Sequence, residues 1–184
     1  GIEEKERIET MLQLASCAQL SGQPDEAIKV LKEITMEAGV DHKSLANAYR
    51  LLAATYGLKG KWERVADARK TSAQYFENEK LFDEAAAEYL AATARFTSLM
   101  DLSEALSCSE KAFTLSERSK NINIQSRALG LMGNITAMLG KPDEGQEIVR
   151  KGLDLALKYN LTEAASEIYR RLASTMEYRS DYIS

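Results

Sequence analysis

The chain has 184 residues, 45% hydrophobic and 28% charged, with a formal net charge of −4 at pH 7. That length can bury one sizeable core, and the negative balance argues against a nucleic-acid surface, which needs a basic excess. No apolar run of about 18 residues is present to cross a bilayer, and no basic-then-apolar leader marks secretion. Two prolines, ten glycines and abundant Ala, Leu, Glu, Lys and Arg set an all-α expectation.

Residues 3–20 read as a first helix, with Ile8, Met11, Leu12, Ala15 and Ala18 on one stripe at three- and four-residue steps. Gly22-Gln-Pro24-Asp25-Glu26-Ala27 turns the chain. Glycine ends one helix, proline opens the next where its missing N–H is not needed, and the carboxylates sit on that helix's positive end. A second helix over about 24–38 carries Ala27, Ile28, Leu31 and Ile34 inward and ends at Gly39. Asp41 or His42 leads into a third, about 43–58, with Leu45, Tyr49, Leu52, Ala53 and Tyr56 inward. Gly60-Lys61-Trp62 turns the chain into a fourth helix reaching about Phe76, with Trp62 covering the end of its hairpin's core.

A fifth helix, about 82–98, carries Ala85, Tyr89, Ala92 and Phe96, and Ser98-Leu99-Met100-Asp101 replaces the glycine turn that follows the first, third and seventh helices. The sixth, about 102–119, has Leu102, Ala105, Leu106, Ala112, Phe113 and Leu115. Residues 125–159 hold the clearest hairpin: Leu129, Met132, Gly133, Thr136 and Leu139 make one stripe, and Ile148, Val149, Leu153, Leu155 and Ala156 the other. Between them Gly140-Lys-Pro142-Asp143-Glu144 repeats the first turn. A ninth helix over 162–178 carries Ala165, Ile168, Tyr169, Leu172, Ala173 and Met176; Tyr178, Tyr182 and Ile183 read as a frayed tail.

The small or apolar residues five places beyond Gly22, Gly60, Met100 and Gly140 are Ala27, Val65, Ala105 and Gly145, at steps of 38, 40 and 40. A fixed period of this size marks a repeat array in which each hairpin contacts mainly its neighbours. The expected fold is therefore all-α, a right-handed superhelical solenoid of antiparallel helix hairpins with about nine helices. One domain over 1–184 is expected, with repeats at about 3–40, 41–78, 81–120 and 121–159 and a half repeat at 161–179. The start at Gly1-Ile2, without methionine, suggests a piece of a longer chain. An unpaired ninth helix would expose Ile168, Leu172, Ala173 and Met176, so either the parent chain continues or the fragment self-associates through that end.

These repeats resemble the tetratricopeptide family, whose pattern runs aromatic, two residues, Leu-Gly, two residues, Tyr, then Ala and, four further on, Phe. The first repeat supplies Met11, Leu14-Ala15, Ala18, Ala27 and Leu31; the second Tyr49, Leu52-Ala53, Tyr56, Val65 and Arg69. The third has Tyr89, Ala92-Thr93, Phe96, Ala105 and Ser109; the fourth Leu129, Met132-Gly133, Thr136, Gly145 and Val149; the half repeat Tyr169, Leu172-Ala173 and Met176. The period of about 40 exceeds the family's usual 34, which implies extra helical turns. Such long repeats look like those of helical sensor arms in large bacterial regulators and of cargo- or polarity-type adaptors. Arg69 and Ser109 miss the large apolar position, so their helices should pack differently or more loosely. Helical repeats of the HEAT or armadillo kind share the longer period and stay open as the other reading.

The resemblance implies that the first helix of each hairpin lines a concave groove. By spacing, Glu9, Ser16, Gln19, Asn47, Arg50, Thr97, Arg127, Asn134, Glu167, Arg170 and Glu177 would face it, with Asn47, Arg50, Thr97, Arg127, Asn134 and Arg170 as candidate peptide contacts. The family's carboxylate clamp is not reproduced, since the matching places hold Leu12, Ser16, Arg50 and Ala54. Arg50, Arg127 and Arg170 would either grip an acidic segment through charge-assisted hydrogen bonds or pair with neighbouring glutamates.

No catalytic constellation is legible. His42 is the sole histidine and reads as a solvated turn residue. Cys17 and Cys108 read as reduced thiols, and the carboxylate pairs at helix starts answer the helix dipole. No cofactor or metal is expected. The expected role is a cytoplasmic protein–protein interaction scaffold binding a peptide or partner helix in the groove, without nucleic acid or membrane. The other reading is a small-effector or signal-sensing arm of a larger regulator.

Overall fold

The structure is a computed structural model that describes residues 2–183, with side chains described over 3–176. The described residues form helices and no strand: α1 (Ile2–Leu20), α2 (Pro24–Met36), α3 (His42–Leu58), α4 (Trp62–Asn78), α5 (Phe82–Ser98), α6 (Leu102–Ser119), α7 (Ile122–Met138), α8 (Pro142–Lys158) and α9 (Thr162–Ile183). These match the sequence expectation closely. The exceptions are α2, which ends at Met36, and α9, which continues unbroken to Ile183 where a tail was expected. Glu177, Tyr178, Tyr182 and Ile183 have side chains outside the described residues.

From α3 onward the chain keeps a strict twenty-residue metre. Residues 60, 80, 100, 120, 140 and 160 all take the left-handed conformation, with φ between 56° and 88°. The next residue's N–H closes each helix by bonding back five residues: Lys61 to Tyr56 O, Leu81 to Phe76 O, Asp101 to Phe96 O, Asn121 to Ser116 O, Lys141 to Thr136 O and Leu161 to Ala156 O, at 2.8–3.2 Å. This is the glycine-type helix stop, which satisfies carbonyls that the helix end leaves bare. Only Gly60 and Gly140 are glycine there; Lys80, Met100, Lys120 and Asn160 adopt the same angle with a side chain. The Ser98–Asp101 segment, expected to depart from the other turns, therefore has their geometry.

Side chains cap several starts. Asp41 accepts from the Ser44 N–H at 3.0 Å and the Ser44 hydroxyl at 2.7 Å. Asp101 accepts from the Glu104 N–H at 3.2 Å, and Asn121 from the Ile124 N–H at 3.1 Å. Pro24 and Pro142 open α2 and α8 as expected.

The chain divides into two compact units, 1–88 and 89–184, with the boundary inside α5. In the first, α1 packs on α2, α2 on α3 and α3 on α4, and α1 also touches α3. Its core gathers Ile8, Ala15, Leu31, Ile34, Leu52, Ala53, Tyr56 and Val65, and burying a side chain such as Leu31 contributes about 1.5–3 kcal/mol. In the second, α6 packs on α7, α7 on α8 and α8 on α9, and α7 touches α9 directly. Each unit is thus a stack of antiparallel hairpins in which odd-numbered helices meet one another past the even one.

The α7–α8 crossing shows why glycine stands at the family's small position. A Cβ on Gly133 would collide with the Gly145 carbonyl oxygen and the Val149 backbone nitrogen; one on Gly145 would collide with the Gly133 carbonyl oxygen. The two backbones approach too closely to admit a side chain at either glycine. α7 is buried on several sides, through Ile124, Ala128, Gly130, Leu131, Gly133, Ile135, Thr136 and Ala137. The single stripe expected for it was too narrow: Leu129 and Met132 are only half-buried and Leu139 is exposed, because α6, α8 and α9 all lie against this helix. A one-sided stripe describes a helix with one neighbour.

In α9, Ala164, Ala165 and Ile168 are buried against the α8 core residues Val149, Leu153 and Ala156, with Leu172 half-buried beside them. The exposed apolar residues are Tyr169, Ala173 and Met176, so Ile168 leaves the expected open stripe and Tyr169 joins it.

The two repeats lacking the large apolar residue solve the vacancy differently. Arg69 Nη1 donates to both carboxylate oxygens of Glu88, at 3.0 and 2.7 Å, and Glu88 is buried. Ser109 is buried with its hydroxyl donating to the Leu106 carbonyl at 2.8 Å. Trp62 opens α4 as expected, 46% exposed, with its ring beside Gly57.

Candidate interaction surface

The six candidate contacts lie on odd-numbered helices: Asn47 and Arg50 on α3 in the first unit, and Thr97 on α5, Arg127 and Asn134 on α7 and Arg170 on α9 in the second. Their environments differ. Arg50 donates to Asn47 Oδ1 at 2.6 Å, three residues back on the same helix, and its guanidinium lies 5.5 Å from the Phe76 ring centroid. A cation over an aromatic face is held by the ring quadrupole and keeps its outward donors available. Thr97 turns its hydroxyl to the Thr93 carbonyl at 2.8 Å, a helix back-bond that leaves it little reach.

Arg127, Asn134 and Arg170 belong to one cluster. Arg127 lies 3.5 Å from Glu163 and 3.7 Å from Glu167, so for this residue pairing with glutamates is what the structure contains. Glu167 also accepts from Arg171 Nη2 at 2.7 Å, one helical turn on. Arg170 has no ion-pair or hydrogen-bond partner among the described residues. Asn134, Glu167, Arg170, Arg171 and Ser174 line a cavity of about 220 Å³ between α7 and α9. Asn134 is only 9% exposed. Its amide N–H faces Met138 Sδ at 3.6 Å, and its Oδ1 is enclosed with no donor; Arg127 Nε is likewise enclosed and makes no hydrogen bond, standing 3.7 Å from Glu167.

Spacing named Arg127, Asn134 and Arg170 as candidates and passed over Arg171 and Ser174, the latter lining the cavity one turn beyond Arg170. The signal was there: Glu167 and Arg171 stand four apart on one helix, the spacing at which side chains meet.

A second cavity, about 430 Å³, lies in the first unit, lined by Glu4, Lys5, Ile8, Gly39, Val40, Asp41, Lys43 and Glu79. His42 Nδ1 stands 3.4 Å from Glu79 beside it, and the His42 and Tyr75 ring centroids are 5.6 Å apart. Charges of both signs over an apolar floor of Ile8 and Val40 give this cavity no single polarity.

Among the described residues no group of three or more His, Cys, Asp and Glu is placed to hold a metal ion. Cys17 is exposed and Cys108 buried, both free. No helix of the described residues is long and apolar enough to cross a membrane.

No family model matches the sequence, and no curated protein matches it. Solved structures do. The nearly identical TPR-like repeats of a Podosopora anserina chain described as a kinesin light chain superpose at TM-score 0.67, with 14% identity over 95% of this chain and 88% of that one. The protein MamA is similar at TM-score 0.61, with 23% identity over 83% of this chain and 80% of that one. Aspartyl phosphate phosphatase F from Bacillus subtilis is similar at TM-score 0.69 and 17% identity over 96% of this chain, which spans 48% of that protein. At these identities the likeness establishes the fold: a tetratricopeptide-like arrangement of helix hairpins, the one the sequence resembles.

Proposed function

We propose that the chain is a non-catalytic protein-interaction scaffold that binds a peptide or partner helix along its odd-numbered helices, the side that forms a groove in tetratricopeptide-type folds. The observation that carries the reading is the α7–α9 cluster, where a polar cavity is lined by Arg170, which has no ion-pair or hydrogen-bond partner among the described residues. An exposed guanidinium beside a polar cavity can take up a partner's acceptor groups through charge-assisted hydrogen bonds. Arg50 supports the reading in the first unit, its guanidinium over Phe76 and hydrogen-bonded to Asn47 three residues back on the same helix. A small-effector site would favour an aromatic-lined pocket, and among the described residues the lining of the α7–α9 cavity holds polar and charged side chains.

The test is selection of a displayed-peptide library on the chain, followed by titration of the selected peptides. Binding should fall at least about tenfold, near 1.4 kcal/mol, in an Arg50→Glu/Arg127→Glu/Arg170→Glu variant of equal helicity. Peptides that bind both proteins equally would place recognition on another face. A selection that yields no peptide would move the small-effector reading to first place.

A further inference from the structure

The second unit carries its own pattern for what covers an odd-numbered helix. Where α8 crosses α7, a Cβ on Gly145 would meet the Gly133 carbonyl oxygen, and one on Gly152 would meet Ser126 O, Leu129 Cβ and Gly130 N at 2.7–3.1 Å. Those four α7 residues are buried or half-buried. α9 opens at Thr162, forty residues after α7 opens at Ile122, so the same places on α9 hold Ser166, Tyr169, Arg170 and Ala173. All four are exposed, and Met176 extends the stripe at 55% exposure. The other sides of α9 are taken, by Ile168 and Leu172 in the core shared with α8 and by the contact with α7. α9 thus presents a complete helix-docking face with no helix on it among the described residues.

We propose that this face docks an amphipathic helix of a partner protein that carries Gly or Ala at one position, an aliphatic residue four further on and Asp or Glu seven further on. The first two places follow from α8, which sets Gly145 and Val149 against Gly133; Ala173 stands at the Gly133 place and again excludes a bulky neighbour. The third is where α8 has Gly152 against Gly130. On α9 that place is Arg170, which has no ion-pair or hydrogen-bond partner among the described residues, and a guanidinium covered by a helix needs a carboxylate. The partner's apolar stripe covers Tyr169 and Met176. A second copy of this chain fits poorly: at the same spacings its own exposed face reads Ser166, Arg170 and Ala173, with no carboxylate in the acidic place. The proposal adds a site to the scaffold reading and does not depend on it.

The test is a titration of the full 184-residue chain, ¹⁵N-labelled, with two acetylated and amidated peptides. One has the α8 sequence, residues 142–158, and the other the same sequence with Gly152→Glu. The acidic peptide should shift the Ser166, Tyr169 and Ala173 amides saturably and bind at least about tenfold more tightly than the parent peptide, the scale of one charge-assisted bond. Arg170→Gln in the chain should erase that preference, and Ala173→Leu should weaken both peptides at least about tenfold. Both substitutions fall at exposed positions and leave the fold intact. A Gly145→Leu/Gly152→Glu peptide should not bind. Equal affinity for the acidic and parent peptides, shifts centred on α7, or no shift with any peptide overturns the proposal. So does sedimentation that finds a dimer of the chain dissociated by Ala173→Leu, which gives the face to a second copy. Library-selected peptides lost in Arg50→Glu/Arg127→Glu, with α9 silent to the α8 peptides, refute this site and leave the scaffold standing.

Discussion

Asp41 caps α3 with two bonds from Ser44, and it shows how single residues carry local order here. Burial raises its carboxyl pKa, but the Ser44 hydroxyl and N–H outweigh that and hold it below the ordinary value of 3.8. A depressed carboxylate stabilises the fold above its unfolded pKa and loses that contribution as pH falls through the folded value. Asp41→Ala should therefore cost about 1 kcal/mol at neutral pH, the usual worth of a cap. The gap to the parent should close as pH drops below 3.8, as thermal unfolding at several pH values would read. Met100 makes the opposite case. Its left-handed φ of 62° strains an L-residue by about 1–2 kcal/mol, more than the entropy glycine loses on ordering. Met100→Gly should stabilise by about 0.5–1 kcal/mol in chemical denaturation. Asn160→Gly should gain less, since asparagine tolerates this conformation.

Helices were the most legible level of this protein, because each combines an apolar stripe with a stop signal. The glycine turns after α1, α3 and α7 stood out, and they set the period. The turns after α4, α5, α6 and α8 did not, since Lys80, Met100, Lys120 and Asn160 advertise nothing about φ. The same backbone hydrogen bonds close these helices whatever the side chain, so the twenty-residue metre emerges only in the structure. The small residue of each hairpin was legible and its reason can be tested. Gly133→Ala should destabilise by about 1–2 kcal/mol, because the new methyl meets backbone atoms of α8 that cannot give way. Gly57 in α3 is the control: a Cβ there meets Trp62 at an ordinary 3.8 Å. Gly57→Ala should stabilise by about 0.5–1 kcal/mol through helix propensity alone, and paired denaturant titrations separate the two effects. Arg69 was legible as a departure, but its answer, the buried Glu88, lies nineteen residues on and follows from no local pattern.

Across the whole chain, the candidate surface was readable as far as periodicity reaches. Spacing assigned Arg127, Asn134 and Arg170 to the odd-numbered helices, and all three fall in one cluster of the second unit. Periodicity could not foresee that Thr97 spends its hydroxyl on its own helix or that Glu167 pairs with two arginines. Those outcomes depend on rotamers and on the contact between α7 and α9. The most direct measurement is a backbone-amide chemical-shift map of the chain on titration with a library-selected peptide. The account predicts perturbations along the odd-numbered helices, strongest around Asn134 in α7 and Arg170 in α9. Perturbations concentrated on α2, α4, α6 and α8, with α7 and α9 silent, would contradict it.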